Sequence, residues 1–219
     1  DMKNILVTGC NGQLGNEMQL LATGYPEFNY FFTDVKELDI TDENAVKSFV
    51  KTNGIDCVVN CAAYTAVDKA EADEAFCNIL NHIAPGYLAK AVHEQGGCMI
   101  QVSTDYVFDG TTHIPYREEE PTCPATVYGR TKLAGEEAVM RNCPESVIIR
   151  TAWLYSTFGN NFVKTMLRLG REKESLGVIF DQIGTPSYAR PLAVAIFAVL
   201  TQDFVPGIYH FSNEGAISW

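Results

Sequence analysis

A tyrosine and a lysine lie four positions apart in the segment YGRTK, residues 128–132. On a helix this spacing places Tyr128 and Lys132 on one face, and the helix formers in the following LAGEEAVMRN indicate that a helix begins here. A free phenol has a pKa of about 10, and we expect the nearby ammonium to lower the pKa of Tyr128. The pair would then be a tunable general acid. The alternative is an amphipathic helix with a packed tyrosine and a surface lysine.

A hydroxyl and a carboxylate follow a predicted strand upstream of this pair. The apolar segment GCMIQVS, residues 97–103, is typical of a buried strand and leads directly into Thr104 and Asp105. Thr104 would hydrogen-bond a substrate carbonyl oxygen that Tyr128 protonates. Thr104, Tyr128 and Lys132 are therefore a candidate catalytic triad, with an ordinary turn hydroxyl as the alternative for Thr104.

A glycine-rich turn follows the first predicted strand, NILVT at residues 4–8. Gly9, Gly12 and Gly15 have the spacing G-x-x-G-x-x-G, and a helix pattern continues to about Thr23. In dinucleotide-binding turns such glycines permit a tight turn, close approach to a pyrophosphate and close helix packing, while the helix N-terminus attracts the anion. The sequence therefore predicts a dinucleotide site, with a plain strand-to-helix turn as the alternative.

An acidic residue ends the second predicted strand, FNYFFTD at residues 28–34. Asp34 follows the glycines at about the sequence separation that is expected of a carboxylate that binds the adenosine ribose hydroxyls. Such a carboxylate favours NADH, and Lys36 is close enough to tolerate the 2′-phosphate of NADPH. A strand-end cap is the alternative for Asp34.

The remaining periodicity predicts strands that alternate with helices. Further strands are predicted at 55–60 and 146–155, and short strands within 176–188 and 207–212. Helices are predicted at about 41–54 and 72–95, from Asn160 or Asn161 onward, and over 191–200. A loop is predicted at 109–126. This alternation predicts an α/β, Rossmann-like doubly wound parallel sheet. Gly9, Asp34, Asn60 and Ser103 fall at predicted strand ends, where such sheets bind ligands.

Composition and charge narrow the class of protein. The chain has 219 residues, which predicts either one large domain or one domain plus part of a second, and a formal net charge of −11. This acidity disfavours nucleic acid and anionic membranes as partners but allows an anionic ligand in a local site. The longest apolar run, residues 191–200, is too short to cross a bilayer and predicts a core helix.

The cysteines and histidines indicate a compartment and no metal. Seven cysteines occur at irregular spacing without a C-x-x-C pair, which favours free thiols in a reducing cytoplasm over a disulfide framework. The four histidines are scattered, so the sequence shows no zinc-ligand pattern. No signal peptide is expected, because a strand pattern starts at once.

Several segments together resemble the extended short-chain dehydrogenase/reductase family. They are TGCNGQLG, LDITD, VVNCAAYTAVDKAE, STDYVFDG, YGRTKLAGE, IIRTAWLY, GNNFVKTMLRL and DQIGTPSYA, and they span nearly all of the chain. The resemblance implies NADH or NADPH as cofactor and a nucleotide sugar as substrate. It implies reduction of the 4-keto group of a dTDP-activated deoxysugar, the last step to dTDP-L-rhamnose. The alternatives are another nucleotide-sugar reductase or epimerase of the superfamily and a non-catalytic regulatory relative.

The resemblance also assigns residues to roles. Tyr128 would donate the proton, and Lys132 would hold the nicotinamide ribose. The remaining cofactor contacts would come from Gly9, Asn11, Gly12, Gln13, Leu14, Gly15, Asp34, Asp39, Ile40, Ala62, Ala63 and Tyr64. Thr104, Asp105, Tyr128 and Trp153 would contact the sugar nucleotide, and Asn60 and Val67 are weaker candidates.

Two departures from the family pattern affect the expected domains. Family members continue for some tens of residues past a Ser-Trp pair like Ser218-Trp219. We therefore expect a dinucleotide-binding domain at residues 1–150 and a partial, C-terminally truncated substrate lobe at 151–219, interleaved with the end of the sheet. Arg190-Pro191 stands where relatives often carry an acid or a small residue. Some relatives are associated with Mg²⁺, but the sequence offers no ligand set for a metal. The sequence is compatible with a homo-oligomer.

Overall fold

Strands and helices alternate along residues 2–219, the part of the chain that the computed structural model describes. The strands are β1 (Lys3–Thr8), β2 (Phe28–Thr33), β3 (Cys57–Asn60), β4 (Cys98–Thr104), β5 (Ser146–Thr151), β6 (Leu154–Tyr155), β7 (Ile183–Gly184), β8 (Ser187–Tyr188), β9 (Gly207–His210) and β10 (Ile217–Ser218). The helices are α1 (Gln13–Ala22), α2 (Glu43–Thr52), α3 (Val67–Ala70), α4 (Glu74–Asn78), α5 (Ala84–His93), α6 (Val127–Asn142), α7 (Phe162–Glu172) and α8 (Ala189–Thr201).

Six of the strands form one parallel sheet in the order β2-β1-β3-β4-β5-β9. From β1 the chain first moves outward to β2, and from β3 it moves the other way across the sheet. The carboxyl ends of β1 and β3 therefore flank the switch point, where sheets of this kind bind ligands. The predicted fold class, an α/β Rossmann-like parallel sheet, is confirmed.

Both faces of the sheet are buried, which is why the strands lack polar alternation. Ile5 and Val7 of β1 pack towards α1 and α8, while Leu6 between them packs towards α2, α5 and α6. Helix α8 is the core helix predicted over 191–200: Leu192, Ile196 and Phe197 are fully buried in the first of these layers. In residues 2–219 we find no helix of the length and apolar character that a bilayer crossing requires.

The single helix predicted over 72–95 is interrupted. Residues Ile79–Ile83 form a π-helical turn between α4 and α5. The turn carries the buried Asn81, whose side chain bonds the backbone N–H and C=O of Tyr64 at 2.8 and 3.0 Å. The side-chain amide of Asn81 therefore bonds to backbone outside its own helix. The helical periodicity of the sequence does not reveal this π-helical turn.

The strand predicted over 146–155 is also wrong at its end. It stops at Thr151, and the chain turns at Trp153, whose φ is 47°. Leu154 and Tyr155 then pair with β8 in a separate two-stranded sheet, and β7 pairs with β10 in another. The division of the chain at residue 150 stays a prediction. Strand β9, which lies after that point, joins the main sheet, and α8 packs on the face of the sheet that α1 also covers.

Candidate active site

The glycine turn between β1 and α1 lies at the switch point. Gly9 has φ 61°, and a Cβ there would come within 2.7 Å of the backbone nitrogen of Ala62. A Cβ at Gly15 would overlap the carbonyl oxygen of Gly9. Only glycine therefore allows the turn to touch the segment after β3 while α1 packs against the turn.

The first turn of α1 offers an anion site. Gly12 is its N-cap and has no side chain that could cap the amides that follow it, those of Gln13, Leu14 and Gly15. A Cβ at Gly12 would meet only the carbonyl oxygen of Gly9 within 4 Å, at 3.3 Å, so the turn is open on its other sides. Uncapped amides at the positive end of a helix suit a pyrophosphate.

Asp34 lies directly against this turn. One carboxylate oxygen accepts a hydrogen bond from the backbone N–H of Asn11 at 3.2 Å, and the other accepts from Val35 at 2.8 Å. The side chain is partly exposed, with Lys36 exposed two positions later. The adenosine ribose would lie next to a carboxylate held, like this one, beside the pyrophosphate cradle.

The other predicted adenosine contacts occupy the loop after β2. The carboxylate of Asp39 accepts hydrogen bonds from the backbone N–H and hydroxyl of Thr41 at 3.0 and 2.7 Å, so it stabilises the turn before α2. Ile40 is buried in the core layer beneath α2. Their contacts with a cofactor stay predictions.

The segment after β3 forms the second wall of the crevice. Ala62, Ala63 and Tyr64 are partly exposed, and Asn81 fixes the backbone of Tyr64. The Asn81 amide also reaches the hydroxyl of Thr131 on α6 at 3.2 Å. Asn81 therefore joins the cofactor wall to the helix that carries Tyr128, a role the sequence analysis missed.

The two weaker candidates occupy different settings. Asn60 is buried, accepting a hydrogen bond from Thr8 at 2.6 Å and donating to Gln101 at 2.8 Å. These bonds join the ends of β1, β3 and β4 beneath the crevice. Val67 is partly exposed at the start of α3.

Helix α6 places Tyr128 beside the end of β4, as the sequence predicted. Thr126 caps the helix by accepting a hydrogen bond from the N–H of Gly129 at 3.0 Å. A Cβ at Gly129 would overlap the carbonyl oxygen of Tyr106, so the helix start packs directly on the segment after Thr104. The rings of Tyr106 and Tyr128 meet edge to face at 5.5 Å.

The expected lowering of the Tyr128 pKa is wrong. Burial raises the pKa of the Tyr128 phenol well above its usual value, the neighbouring Thr104 side chain opposes this rise, and Lys132 is not among the groups that shift it. The Lys132 ammonium instead donates to the carbonyl oxygen of Val102 at 2.7 Å, and burial lowers the pKa of Lys132 to about 8. The phenol is therefore protonated at neutral pH, the state that a proton donor requires.

A buried ion pair fixes α6 against β5. Glu136 lies one turn after Lys132, and its two carboxylate oxygens accept hydrogen bonds from the Arg150 guanidinium at 2.9 and 2.7 Å. Both side chains are almost completely buried. The sequence analysis missed this pair, although position 136 continues the four-residue spacing of Tyr128 and Lys132.

A cavity of about 300 Å³ adjoins the triad. Asp105, Thr151 and His210 contribute to its lining, and burial raises the pKa of Asp105 to about 6. The Thr151 hydroxyl and the His210 Nε2 are buried without a hydrogen-bond partner in residues 2–219. Buried polar atoms are rarely unpaired unless a ligand or water completes them, so this cavity suits a polar ligand. The sequence analysis did not identify Thr151 or His210.

Trp153 turns the chain out of the sheet beyond this cavity. Among the described residues it is the only non-glycine residue with positive φ. Its ring stacks on Trp219 with centroids 3.6 Å apart, and a Cβ at Gly184 would overlap the ring. Strained backbone of this kind concentrates at functional sites, which supports the predicted substrate contact.

A dinucleotide turn at one end of the crevice and a protonated phenol at the other define a short-chain dehydrogenase/reductase of the extended type. The family profile described as RmlD substrate binding domain matches residues 2–219. The chain belongs to this family, that of the dTDP-4-dehydrorhamnose reductases.

Relatives match the chain along nearly its whole length. The dTDP-4-dehydrorhamnose reductase of Salmonella typhimurium is 44% identical over 99% of this chain and 74% of its own. A Streptomyces antibioticus protein described as a probable dTDP-4,6-dihydroxy-2-methyloxan-3-one 4-ketoreductase is 42% identical over 98% and 72%. The dTDP-4-dehydrorhamnose reductase of Bacillus anthracis, solved in complex with NADP, is 39% identical with a TM-score of 0.96 over 100% and 77%. The chain thus spans about three quarters of these relatives.

Proposed function

We propose that this protein reduces the 4-keto group of dTDP-4-dehydro-L-rhamnose with NADH or NADPH and forms dTDP-L-rhamnose. The observation that carries the proposal is the position of the Tyr128 phenol at the start of α6, packed on the segment after Thr104, in the crevice that also holds the glycine turn. Membership of the reductase family supplies the substrate.

The crevice fits a nicotinamide dinucleotide. The open turn at Gly12 and the uncapped start of α1 would hold the pyrophosphate, and Asp34 would bind the adenosine ribose. Lys132 would bind the nicotinamide ribose, and its pKa of about 8 keeps most of it charged at neutral pH. The bound cofactor supplies the hydride for the reduction.

The chain's own groups handle the proton. Tyr128 would give its phenol proton to the oxygen on carbon 4 as that carbon becomes an alcohol. The Thr104 hydroxyl, now donated to the Asp105 carboxylate at 3.2 Å, would turn to the same oxygen and orient it. General acid catalysis contributes about 10²–10⁴-fold, so Tyr128 is the residue on which turnover most depends.

The substrate's polar groups find partners in the neighbouring cavity. Asp105, freed from Thr104, would accept a hydrogen bond from a sugar hydroxyl, and Trp153 would pack against the sugar nucleotide. We place the reaction in the cytoplasm, because all seven cysteines are free. The net charge of −11 disfavours a nucleic-acid partner. A homo-oligomer remains part of the proposal.

A second candidate is the reduction of a different dTDP-4-keto sugar. The Streptomyces antibioticus relative is described as a probable 4-ketoreductase of another dTDP-sugar. Its sequence identity to this chain is nearly that of the Salmonella typhimurium reductase. The sheet, glycine turn and triad would serve either substrate. The intact Thr104, Tyr128 and Lys132 argue against a non-catalytic role.

The decisive experiment measures NADH and NADPH oxidation by the purified protein with dTDP-4-dehydro-L-rhamnose and with dTDP-4-keto-6-deoxyglucose. We expect kcat/KM to be higher for the first sugar and the product to be dTDP-L-rhamnose by NMR. Oxidation that is equally fast with both sugars would favour the broader 4-keto reductase. No oxidation with either sugar would overturn the proposal, provided that fluorescence titration shows the cofactor bound.

A further inference from the structure

A second cluster of reactive side chains lies at the other end of the sheet from the crevice. His93 is the last residue of α5, Cys143 follows α6, and Glu145 directly precedes β5. One ligand atom from each of the three lies within 4.8 Å of the other two. The sequence analysis found no metal-ligand spacing, because three separate elements bring these residues together.

The two exposed members of the cluster already face each other. The Nδ1 atom of His93 is 3.0 Å from a carboxylate oxygen of Glu145, and both side chains are about half exposed. Cys143 is fully buried beneath them, and its thiol makes a long contact of 3.9 Å with the carbonyl oxygen of Gly97 and lies against the backbone of Glu145. Solvent therefore reaches the cluster from the side of His93 and Glu145.

The donor set matches a borderline-soft divalent cation. Zinc binds thiolate, imidazole and carboxylate, and a tetrahedral site places its ligand atoms roughly 3.5 Å apart. Small rotations of the exposed His93 and Glu145 side chains would bring all three atoms to that spacing. Two further thiols, Cys57 and Cys98, lie in register at the start of β3 and β4, which adds to the soft character of this corner.

We propose that His93, Cys143 and Glu145 bind a zinc-like divalent cation, with solvent in the fourth position. The cation would replace the hydrogen bond between His93 and Glu145 and would take up the thiolate of Cys143. Binding would release the thiol proton of Cys143, because the thiolate is the form that coordinates a metal. The site would tie the end of α5 to the segment between α6 and β5, away from the reductase crevice.

The test is titration of the reduced protein with Co²⁺ and then Zn²⁺, followed by absorbance. We expect one equivalent of Co²⁺ to give a sulfur-to-cobalt charge-transfer band with visible bands of a tetrahedral site, and Zn²⁺ to abolish them. Cys143→Ser should remove the charge-transfer band, and Glu145→Gln, at an exposed position, should weaken binding at least tenfold.

Cys123→Ser is the matched control, since Cys123 is an exposed thiol in a loop outside the cluster, and it should bind Co²⁺ as the unmodified protein does. A band that persists in Cys143→Ser or is lost in Cys123→Ser would overturn the proposal. So would equal affinity in Glu145→Gln, which keeps the test valid if Cys143→Ser fails to fold. Reductase activity does not enter this test, so the proposed function is judged separately.

Discussion

The side-chain amide of Asn161 donates a hydrogen bond of 3.0 Å to the side chain of Gln13. Gln13 is the first residue of α1, and Asn161 caps α7 by accepting from the N–H of Lys164 at 3.0 Å. Gly159 packs against Gln13, because a Cβ there would lie 3.1 Å from the Gln13 side chain. The pyrophosphate end of the crevice is therefore linked directly to the start of α7.

This link predicts that Asn161 supports cofactor binding. Asn161→Ser keeps a capping oxygen but is too short to reach Gln13 or the carbonyl oxygen of Ser156, to which the amide also donates at 2.7 Å. Cofactor affinity should therefore fall several-fold, and Tm should fall less than in Asn161→Ala. Asn161→Ala should lose the same affinity and also about 1 kcal/mol of stability with the cap. Fluorescence titration and thermal unfolding measure both. Unchanged affinity in Asn161→Ser would show that the link does not act on the cofactor site.

Tyr128→Phe should lower turnover by about 10²–10⁴-fold and leave cofactor affinity nearly unchanged, because it removes only the proton donor. Tyr106→Phe is the matched control, since Tyr106 packs edge to face on Tyr128 without belonging to the triad. Single-turnover kinetics with preformed cofactor complex would measure the step itself. Near-normal turnover in Tyr128→Phe would refute the assignment of the acid.

Asp34→Ala should weaken NADH binding and spare or improve NADPH binding, because it removes both a ribose acceptor and a charge that repels the 2′-phosphate. Lys36→Ala should do the reverse, weakening only NADPH. Isothermal titration of both variants with both cofactors checks this pair of opposite effects. If neither variant changes the ratio of the two affinities, Asp34 does not contact the ribose.

Asp105 should destabilise the folded chain above pH 6. Its pKa is about 6 when folded, against an ordinary value of 3.8, because burial disfavours the carboxylate. Between those values the folded chain holds the proton more tightly than the unfolded chain, so stability falls as pH rises through this window. Asp105→Asn should therefore add roughly 3 kcal/mol to the free energy of unfolding at pH 8 and almost nothing at pH 3.5, while it lowers turnover.

Urea unfolding of Asp105→Asn at pH 3.5 and pH 8 measures this effect. Asp109→Asn is the control of opposite sign, because hydrogen bonds from Thr111 lower the pKa of that exposed carboxyl. Its removal should reduce stability at pH 8. A stability gain in Asp105→Asn that is the same at both pH values would contradict the assigned titration.

Thr151→Val tests the cavity beside the triad. Within residues 2–219 the buried Thr151 hydroxyl has no hydrogen-bond partner, so the isosteric valine should not reduce stability, yet a bound sugar nucleotide should lose a hydrogen bond. We expect KM for the sugar nucleotide to rise about five- to tenfold with cofactor affinity unchanged. Ser146→Ala removes another buried hydroxyl that has no partner in the described part of the chain, at the opposite end of β5, and should leave KM unaltered. An unaltered KM in Thr151→Val would exclude that contact.

The alternation of strands with helices and the start of α6 could be predicted from the sequence, because local patterns encode them. The turn with Gly9, Gly12 and Gly15 directly follows an apolar strand, and Tyr128 and Lys132 are one helical turn apart. The interruption at Ile79–Ile83 could not be predicted, because the buried Asn81 serves the backbone of Tyr64 rather than its own helix. A helical pattern carries no information about that distant partner.

The predicted lowering of the Tyr128 pKa was wrong for a related reason. The sequence analysis placed the charge of Lys132 beside Tyr128, whereas the ammonium is occupied by the Val102 carbonyl and burial governs the phenol. The partner of Glu136 is Arg150 on a different element, so spacing on α6 alone could not identify it. Groups whose state depends on tertiary burial are the ones that a single sequence leaves open.

The contact between Gly9 and Ala62 has a consequence for the life of the protein in a cell. The cofactor crevice combines the ends of β1, β2 and β3, so a partly unfolded chain has no dinucleotide site. Cofactor therefore acts as a folding ligand: at a free concentration of 100 times its Kd it would stabilise the native state by about 2.7 kcal/mol. When the dinucleotide pool falls, more of the protein would be open to proteases, and its abundance would follow the supply of its own reductant.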